Sequence, residues 1–186
     1  PEPIFVAKAN IKSDVHRRSY MDYIGLKLYN SDGNISGEIK LVGLFTSGAY
    51  TSSPLNIPLL RRKLEHVVQR SGLQNGSHSG KALINILDSY PRDELFQIES
   101  DLLLKFASAI QRLDERPVTR AFIRPDKFDR FVSVLVYVAR DHYSSEVRQR
   151  IGVYLANKFD GRVSAVYPHF PEGMMARVHF IIGRNE

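Results

Sequence analysis

Residues 131–138 form a continuous apolar run that is rich in valine, and this run limits the possible folds more than any other feature of the chain. Strands that are this apolar are usually buried on both faces, inside a sheet. A helical pattern follows, in which the apolar side chains on one face are Val147, Ile151, Leu155 and Phe159. The sequence therefore predicts a central strand that leads into an amphipathic helix.

Two further strands complete this C-terminal pattern. Residues 162–170 and 174–182 are extended, and Pro171-Glu172-Gly173 forms the turn between them. The order strand, helix, strand, strand is the first two thirds of a βαββαβ ferredoxin-like unit, which is the pattern of ACT domains. Residues 118–186 are therefore predicted to form an ACT-like βαββ unit that is truncated before its second helix and fourth strand.

The truncation has a consequence for association. In the complete unit the fourth strand lies beside the first, so residues 132–138 would have an open edge. An open apolar edge pairs readily with another chain. We therefore expect the protein to form a homo-oligomer by dimerising or pairing edge to edge.

The first 56 residues predict an antiparallel sheet of three strands. Residues 4–9 are apolar, residues 20–29 alternate between apolar and polar, and residues 38–46 return after the turn Asn30-Ser31-Asp32-Gly33-Asn34. This arrangement is similar to the C-terminal part of a PAS-type sheet.

Residues 57–117 predict helices. Pro58 suits a helix start, Ser100 is placed to cap a later helix, and Pro117 prevents that helix from continuing. The predicted fold class is therefore α+β, with an antiparallel PAS-like segment at 1–56, a helical segment at 57–117 and the ACT-like unit at 118–186.

The sequence carries no established motif for catalysis, cofactors or metals. The run Gly76-Ser77-His78-Ser79-Gly80-Lys81-Ala82 is one residue short of a phosphate loop and follows a helix, so a loop and helix cap are predicted there. No Gly-x-Gly-x-x-Gly follows a strand, no serine lies in Gly-x-Ser-x-Gly, and the six histidines lack metal-ligand spacing. We therefore predict no catalytic, cofactor-binding or metal-binding residues in this chain.

The loop after the apolar strand is the candidate ligand or interface site. It consists of Arg140, Asp141, His142, Tyr143 and Ser144, and it leads into a helix N-terminus, where N–H groups and the helix dipole attract anions. Arg140 can hold a carboxylate, or it can pair with Asp141 or with a neighbouring domain. In ACT domains the loop at this position often helps to bind an amino acid between two units, although those loops usually carry a glycine and this one has none.

The chain is basic, with a net charge of +6 and a pI near 9.6. The basic residues are scattered, which favours a solvated surface or one patch of a larger acidic assembly. Arg61, Arg62, Lys63 and Arg70 predict a basic helix surface that is either solvated or in contact with an acidic partner.

The alternative function is a stand-alone basic ferredoxin-like module that binds RNA or an acidic protein. An RNA-binding sheet needs aromatic side chains on an open face, and Tyr167 and Phe180 are the candidates to share one. We expect nucleic acid not to be a specific partner.

Composition also bears on location. No uncharged apolar run is long enough to span a membrane, and the start of the chain lacks a signal-peptide pattern. The absence of cysteine fits the cytoplasm, and Pro1 in place of an initiator methionine fits a fragment of a longer chain. We therefore expect a cytoplasmic protein that does not cross a membrane.

Several runs of residues occur in a fixed order along the chain. They are Arg18-Ser19-Tyr20-Met21-Asp22-Tyr23-Ile24-Gly25, Gly43-Leu44-Phe45-Thr46-Ser47, Ile57-Pro58-Leu59-Leu60-Arg61-Arg62-Lys63, Tyr90-Pro91-Arg92-Asp93-Glu94-Leu95-Phe96-Gln97, and Arg130-Phe131-Val132-Ser133-Val134-Leu135-Val136-Tyr137 closing on Ala139-Arg140-Asp141. Together these runs resemble the large bacterial-type NAD-specific glutamate dehydrogenases. The resemblance covers nearly the whole chain.

The resemblance implies a role outside catalysis. In that family the matched stretch lies in the long N-terminal region, so the residues that bind nucleotide and glutamate lie elsewhere. The parent enzyme interconverts L-glutamate with 2-oxoglutarate and ammonia, and NAD is the cofactor of that parent. We therefore expect a regulatory or structural segment whose partner is the rest of the dehydrogenase and whose candidate effector is an amino acid.

Overall fold

The structure of the protein is a computed structural model, which describes residues 3–15, 20–74 and 76–184. It has the predicted α+β class, with a three-stranded antiparallel sheet, a helical middle and a four-stranded antiparallel sheet with one helix. Two compact units divide the chain, residues 1–61 with 92–97 and residues 62–91 with 98–186. The three-segment division at 1–56, 57–117 and 118–186 stays a prediction. His16, Arg18 and Ser19 lie outside the described residues.

The first sheet is a simple meander. Strands β1 (Ile4–Lys12), β2 (Tyr20–Tyr29) and β3 (Ile35–Gly43) lie in that order. The bounds of β2 are those that the alternating pattern predicts, whereas β3 runs from 35 to 43 rather than from 38 to 46. In the turn between them the side chain of Asn30 accepts a hydrogen bond from the Asn34 backbone at 2.8 Å, which closes the loop.

A partly buried ion pair joins the first sheet to helix α4 (Arg92–Gln97) in the same unit. The ammonium of Lys8 donates to Asp22 at 2.6 Å and to Asp93 at 3.0 Å. The other carboxylate oxygen of Asp22 accepts from the backbone N–H of Phe45 at 3.0 Å. Burial lowers the pKa of Lys8, but Asp93 and Asp22 raise it by more, so the ammonium is held in its charged form.

Most of the remaining helices lie in the middle of the chain. They are α1 (Ser47–Thr51), α2 (Pro58–Ser71), α3 (His78–Asp88) and α5 (Ser100–Glu115). Pro58 begins α2 as predicted, and the side chain of Ser77 caps α3 by accepting from the Gly80 N–H at 3.0 Å. The prediction for Ser100 is wrong, because Ser100 is the first residue of α5 and Glu99 lies at the cap position.

The second sheet has four antiparallel strands in the order β4-β5-β7-β6. Its strands are β4 (Arg120–Pro125), β5 (Phe131–Ala139), β6 (Gly161–His169) and β7 (Met175–Arg184), and helix α6 (Ser145–Lys158) connects β5 to β6. The order β5-α6-β6-β7 is the predicted βαββ order.

Strand β4 is absent from the sequence prediction, and it overturns the predicted open edge. It pairs with β5 from Arg120 opposite Tyr137 to Pro125 opposite Val132, so the edge of residues 132–138 is occupied. The two arginines among the apolar residues of this short strand concealed it. Phe122 is nevertheless buried, edge-on to Tyr137 at 5.7 Å. Self-association stays a prediction, but the open edge from which it was inferred is occupied by β4.

The two faces of the second sheet differ in chemistry. One face carries the even-numbered valines of β5 with Phe180, and Leu155 of α6 packs against it. On the other face the hydroxyl of Ser133 lies 2.7 Å from Nε2 of His179, and Arg177 donates to the carbonyl of Ser89 at 2.6 Å. β5 is therefore buried on both faces, as the apolar run predicts.

Candidate functional site

The candidate loop lies between β5 and α6, where the sequence places it. Residues Arg140–His142 form a single 3-10 turn, and the side chain of Ser144 caps α6 by accepting from the Val147 N–H at 3.1 Å. Asp141 and His142 are exposed. The helix N-terminus beside the loop is thus capped by a serine of the candidate loop itself.

Arg140 is bound by the hairpin turn that joins β6 to β7. Its guanidinium donates to the carbonyl of Pro171, and its backbone N–H donates to the carbonyl of Met174 at 2.8 Å. This partner differs from the three that the sequence suggests, which are a ligand carboxylate, Asp141 and a neighbouring domain. A carboxylate at Arg140 would therefore have to share the guanidinium with Pro171.

Tyr143 fixes the loop to the sheet. Its ring meets Phe170 edge-on with centroids 5.2 Å apart, and it packs against the valine-rich core together with Ile151 and Phe159. The five loop residues thus lie together in the structure. Arg140 and Tyr143 are also held by contacts with the β6–β7 hairpin and the valine-rich core.

A groove opens between α6 and β6, and the sequence prediction does not include it. Its volume is about 470 Å³, and its floor consists of Gly152, Val163, Val166 and Phe180. A Cβ atom on Gly152 would lie 3.4 Å from side-chain atoms of both Phe180 and Val163, so the glycine lets α6 lie close to the sheet at this point. The one available signal was a glycine inside a helix, which costs about 1 kcal/mol relative to alanine and indicates a packing requirement.

The helix side of the groove is polar and basic. Ser145, Arg148 and Gln149 line it, with Gly152 and Val153 one turn further along. These positions follow the i, i+3, i+4, i+7, i+8 spacing, so they lie on one face of α6. None of the lining residues is acidic. The groove therefore combines an apolar floor with one cation and neutral hydrogen-bonding groups.

Titratable groups on the opposite face of the sheet are shifted toward their neutral forms. Burial raises the pKa of the Tyr137 hydroxyl against the opposing effect of Arg177, and Asp114 adds to the increase. Burial lowers the pKa of His169, and the positive charge of Arg177 lowers it further. Both side chains are therefore neutral near pH 7, which suits a packed sheet face rather than acid–base chemistry.

Tyr167 and Phe180 do not form the aromatic platform that the alternative RNA-binding function would need. Tyr167 lies opposite His179 in the register of β6 and β7, so Phe180 points to the other face. Tyr167 is 59% exposed, whereas Phe180 is 0% exposed. These two rings therefore cannot stack with bases on one surface.

The predicted basic surface of α2 is partly engaged within its own unit. The ammonium of Lys63 donates to the carbonyl of Ile98 at 2.9 Å, and Arg70 pairs with Asp101. Within residues 3–15, 20–74 and 76–184, no three His, Asp or Glu side chains gather as a metal site would require. No helix in that part of the chain is long and apolar enough to cross a membrane.

Three curated relatives match nearly the whole chain. Proteins named NAD-specific glutamate dehydrogenase from Halomonas elongata and Pseudomonas aeruginosa are each 39% identical, over 100% and 97% of this chain. A protein of the same name from Mycobacterium tuberculosis is 30% identical over 96% of the chain. The chain spans only 12%, 11% and 11% of the lengths of these relatives.

Two family models match consecutive parts of the chain. The model described as glutamate dehydrogenase, helical motif 1, matches residues 57–116, and the model described as glutamate dehydrogenase, ACT2 domain, matches residues 120–186. This chain is similar to glutamate dehydrogenases over nearly its whole length. The ACT2 match begins at Arg120, so the strand that the sequence prediction lacked is part of the matched domain.

These matches confirm the resemblance and the ACT-like unit predicted from the sequence. They also explain why an ACT pattern was recognisable, since β5, α6, β6 and β7 all lie inside the ACT2 match. The roles of Arg140, Asp141, His142, Tyr143 and Ser144 stay predictions.

Proposed function

We propose that the chain is a non-catalytic regulatory and structural segment from the N-terminal region of a longer NAD-dependent glutamate dehydrogenase. The observation that carries this proposal is the ACT2 match over the whole second sheet. The small share of each relative that the chain spans supports it, because most of the length of those proteins lies elsewhere. The phosphate-loop and dinucleotide motifs, which would indicate nucleotide binding, are absent from the sequence.

The longer enzyme supplies the reaction and the partners. It interconverts L-glutamate with 2-oxoglutarate and ammonia, uses NAD, and acts in the cytoplasm as a homo-oligomer. This segment contacts the rest of the dehydrogenase and contributes to its assembly. The 186-residue chain should therefore form no NADH from L-glutamate and NAD, and turnover by the purified chain would contradict the non-catalytic assignment.

The loop of Arg140 to Ser144 is the proposed site of an amino-acid effector. An amino acid carries a carboxylate and an ammonium, and the loop contains the Arg140 guanidinium and, at the following residue, the exposed Asp141 carboxylate. The capped N-terminus of α6 adds a positive field on the carboxylate side. Binding at this loop would couple the effector to the β6–β7 hairpin, because Arg140 is bonded to Pro171.

Calorimetry with a panel of amino acids tests this site. Wild-type chain should release heat with at least one of them, and Arg140→Ala should weaken that binding by about tenfold or more through the loss of a charge-assisted hydrogen bond. Arg150→Ala is the matched control, because it removes the same charge from α6 at an exposed position. Equal heat from wild type and Arg140→Ala would show that the effector does not bind through Arg140, and would exclude the loop as its site.

The assembly role has its own test. Light scattering at increasing protein concentration should show a concentration-dependent rise in mass if the segment self-associates through an edge of its sheets. If the chain is a monomer at every concentration, its structural role is limited to contacts with the rest of the dehydrogenase.

A further inference from the structure

The outer edge of the first sheet has the features of a self-pairing surface. Strand β3 lies at one end of the order β1-β2-β3, so in the part of the chain that the structure describes it is paired on one side only. Its register with β2 is regular from Gly37 opposite Leu28 to Gly43 opposite Asp22. Ile39 is exposed on this strand, although its side chain is large and apolar. A regular and partly apolar edge strand is a template for a further strand.

The other three sheet edges carry features that discourage pairing. β4 has six residues, and among them are two arginines and Pro125. β6 contains Pro168, and its register with β7 shifts between Val163 and Ala165. The register of β1 with β2 also shifts, after Lys8. Prolines, charges, bulges and short strands protect sheet edges. The regular part of β3 has no proline and no bulge, so it is the edge best suited to pairing.

The backbone of β3 determines which of its residues can bond to a new strand. The N–H of Lys27 donates to the carbonyl of Pro3 at 2.9 Å, so Lys27 directs its backbone groups toward β1. Successive residues of a strand direct these groups to opposite sides, so the residue before Lys27 directs its groups toward β3, where it lies opposite Ile39. Ile39 therefore bonds to β2, and the backbone groups of Glu38 and Lys40 face outward.

The charges of β3 favour one register for an antiparallel pair of β3 strands. Outward-facing residues must lie opposite outward-facing ones. A pair centred on Glu38 or on Lys40 places two like charges directly opposite each other, which is destabilising. A pair centred on Ile39 instead places each Glu38 opposite Lys40 of the second copy, which is stabilising. The Lys40 side chain is 62% exposed and lies 3.8 Å from Glu38 of its own strand, so it can also reach a carboxylate on the neighbouring strand.

We propose that two copies of this chain pair through β3 in an antiparallel arrangement centred on Ile39. The two-fold axis passes between the two Ile39 residues, so the same residues of both copies form the interface. The pair joins two three-stranded sheets into one and places Ile39 and Leu41 of both copies on one apolar face. This inference rests on the assembly role proposed above, and it names the edge and the register of that association.

A cysteine at the centre of the pair tests the register. The chain has no cysteine of its own, so Ile39→Cys introduces a single thiol. The two copies of residue 39 form a pair without mutual backbone hydrogen bonds, at a Cα separation of about 4.5 Å, which suits a disulfide. Ile39→Cys should therefore become mostly covalent dimer under mild oxidation.

Leu41→Cys is the matched control, because it places the thiol on the same face of the same strand. In the proposed register Leu41 lies opposite Gly37 of the second copy, and the two copies of residue 41 lie about 14 Å apart along the strands. That separation is beyond the reach of a disulfide, so Leu41→Cys should stay largely uncrosslinked. Equal crosslinking of the two variants would overturn the register.

Charge reversal tests what selects the register. Wild-type chain should dimerise with a Kd on the order of 100 µM, because a single strand edge is smaller than a standard interface. Glu38→Lys and Lys40→Glu should each raise that Kd by about tenfold in analytical ultracentrifugation, since each places like charges opposite one another twice. The double variant restores opposite charges, and its Kd should return to within about threefold of wild type. Asp32→Lys in the exposed turn is the control for net charge and should change the Kd by less than about twofold.

The outcomes separate this pairing from the assembly role as a whole. If the mass rises with concentration but neither the Ile39→Cys disulfide nor the charge reversals follow the predicted pattern, pairing through β3 is overturned and assembly uses another surface. If the chain is a monomer throughout and Ile39→Cys forms no disulfide, self-association itself fails. The β3 edge is then left for a strand from the rest of the dehydrogenase. Recovery of dimer in the double variant would exclude loss of fold as the cause of the single-variant effects.

Discussion

The two sheets of this chain differ in how far each completes its own core. In the four-stranded sheet β5 and most of β7 are buried, and the fully buried side chains include Val134 and Phe180. In the three-stranded sheet β3 is exposed along nearly its whole length, with Leu41 at 53% exposure. Both sheets are antiparallel, but β5 is a continuous apolar run, whereas β2 alternates between apolar and polar residues.

The difference shows where each unit obtains its stability. The second sheet has a helix over its valine face, so hydrophobic burial dominates there. The first sheet relies more on specific polar contacts, such as the ion pairs of Lys8 with Asp22 and Asp93. Apolar side chains of β2 and β3 are left at the surface, among them Leu28, Ile39 and Leu41. This comparison predicts that truncation and charge substitutions affect the two units very differently.

Truncation of a core aromatic in the second sheet should give the largest effect. Phe180→Ala leaves a cavity under α6 and should lower the free energy of unfolding of that unit by about 3–5 kcal/mol. Leu41→Ala in β3 is the matched control and should cost less than about 1 kcal/mol, because Leu41 is already exposed. Urea unfolding followed by residue-resolved NMR measures both. Similar losses for the two variants would contradict the stated difference between the sheets.

Removal of one charge should destabilise the first sheet by an intermediate amount. Asp22→Asn weakens the bond to Lys8 and the bond from the Phe45 N–H, so it should cost about 2 kcal/mol. Hydrogen exchange of the β1 and β2 amides should accelerate accordingly, while amides of β5 should not change. The control is Asp32→Asn in the exposed turn, for which no measurable change is expected. Exchange rates in β1 and β2 that match wild type would show that the ion pair does not stabilise this unit.

The two sheets each contain a tyrosine with a raised pKa, but the causes differ. The hydroxyl of Tyr23 is exposed and donates to Glu38 at 2.6 Å, which raises the pKa of Tyr23 to about 12. Burial raises the pKa of Tyr137 in β5, while Arg177 opposes the increase. Glu38→Gln should therefore return Tyr23 toward its ordinary pKa of 10 and leave Tyr137 unchanged. Ultraviolet or NMR titration of both rings decides this, and a Tyr23 that still titrates far above 10 would exclude the Glu38 bond as its cause.

The direction of these pKa shifts determines how the stability of each sheet changes at alkaline pH. A folded-state pKa that is raised contributes stability below the ordinary pKa, and that contribution is lost as the pH rises through the folded value. Tyr137 therefore stabilises the second sheet fully below pH 10, and this contribution is lost as the pH rises through its raised folded-state pKa. Lys8 acts in the same direction on the first sheet, from its ordinary value of 10.5 upward.

The smallest effect concerns the edge strand of the second sheet. Burial and Arg177 together lower the pKa of His169, so the neutral imidazole is favoured in the folded state. Its stabilising contribution is present above pH 6.5 and decreases as the pH falls below that value. Arg177→Met should raise the pKa of His169 part of the way back toward 6.5, as measured by NMR. No change in that pKa would show that Arg177 does not act on His169.

Local patterns predicted those features whose causes lie close together in the chain. Alternation predicted the bounds of β2, and Pro58 predicted the start of α2. The βαββ order was visible because the apolar run 131–138 is buried on both faces.

Features that depend on distant contacts were not predictable in this way. Strand β4 owes its existence to pairing with β5, and its two arginines hide the apolar alternation. The partner of Arg140 lies in the hairpin at Pro171, and the groove needs β6 to lie beside the Gly152 face of α6. Sequence spacing within one element gives no information on these pairings.

The measurement that most directly tests the assignment of a sensing segment is a thermal-shift screen of the chain against amino acids, NAD and 2-oxoglutarate. A ligand that binds only the folded state raises the melting temperature according to ln(1 + [L]/Kd). We predict a shift with at least one amino acid and none with NAD, and the shift should decrease in Arg140→Ala. A shift with NAD, or none with any amino acid, would contradict the account of this chain as a non-catalytic, effector-binding segment.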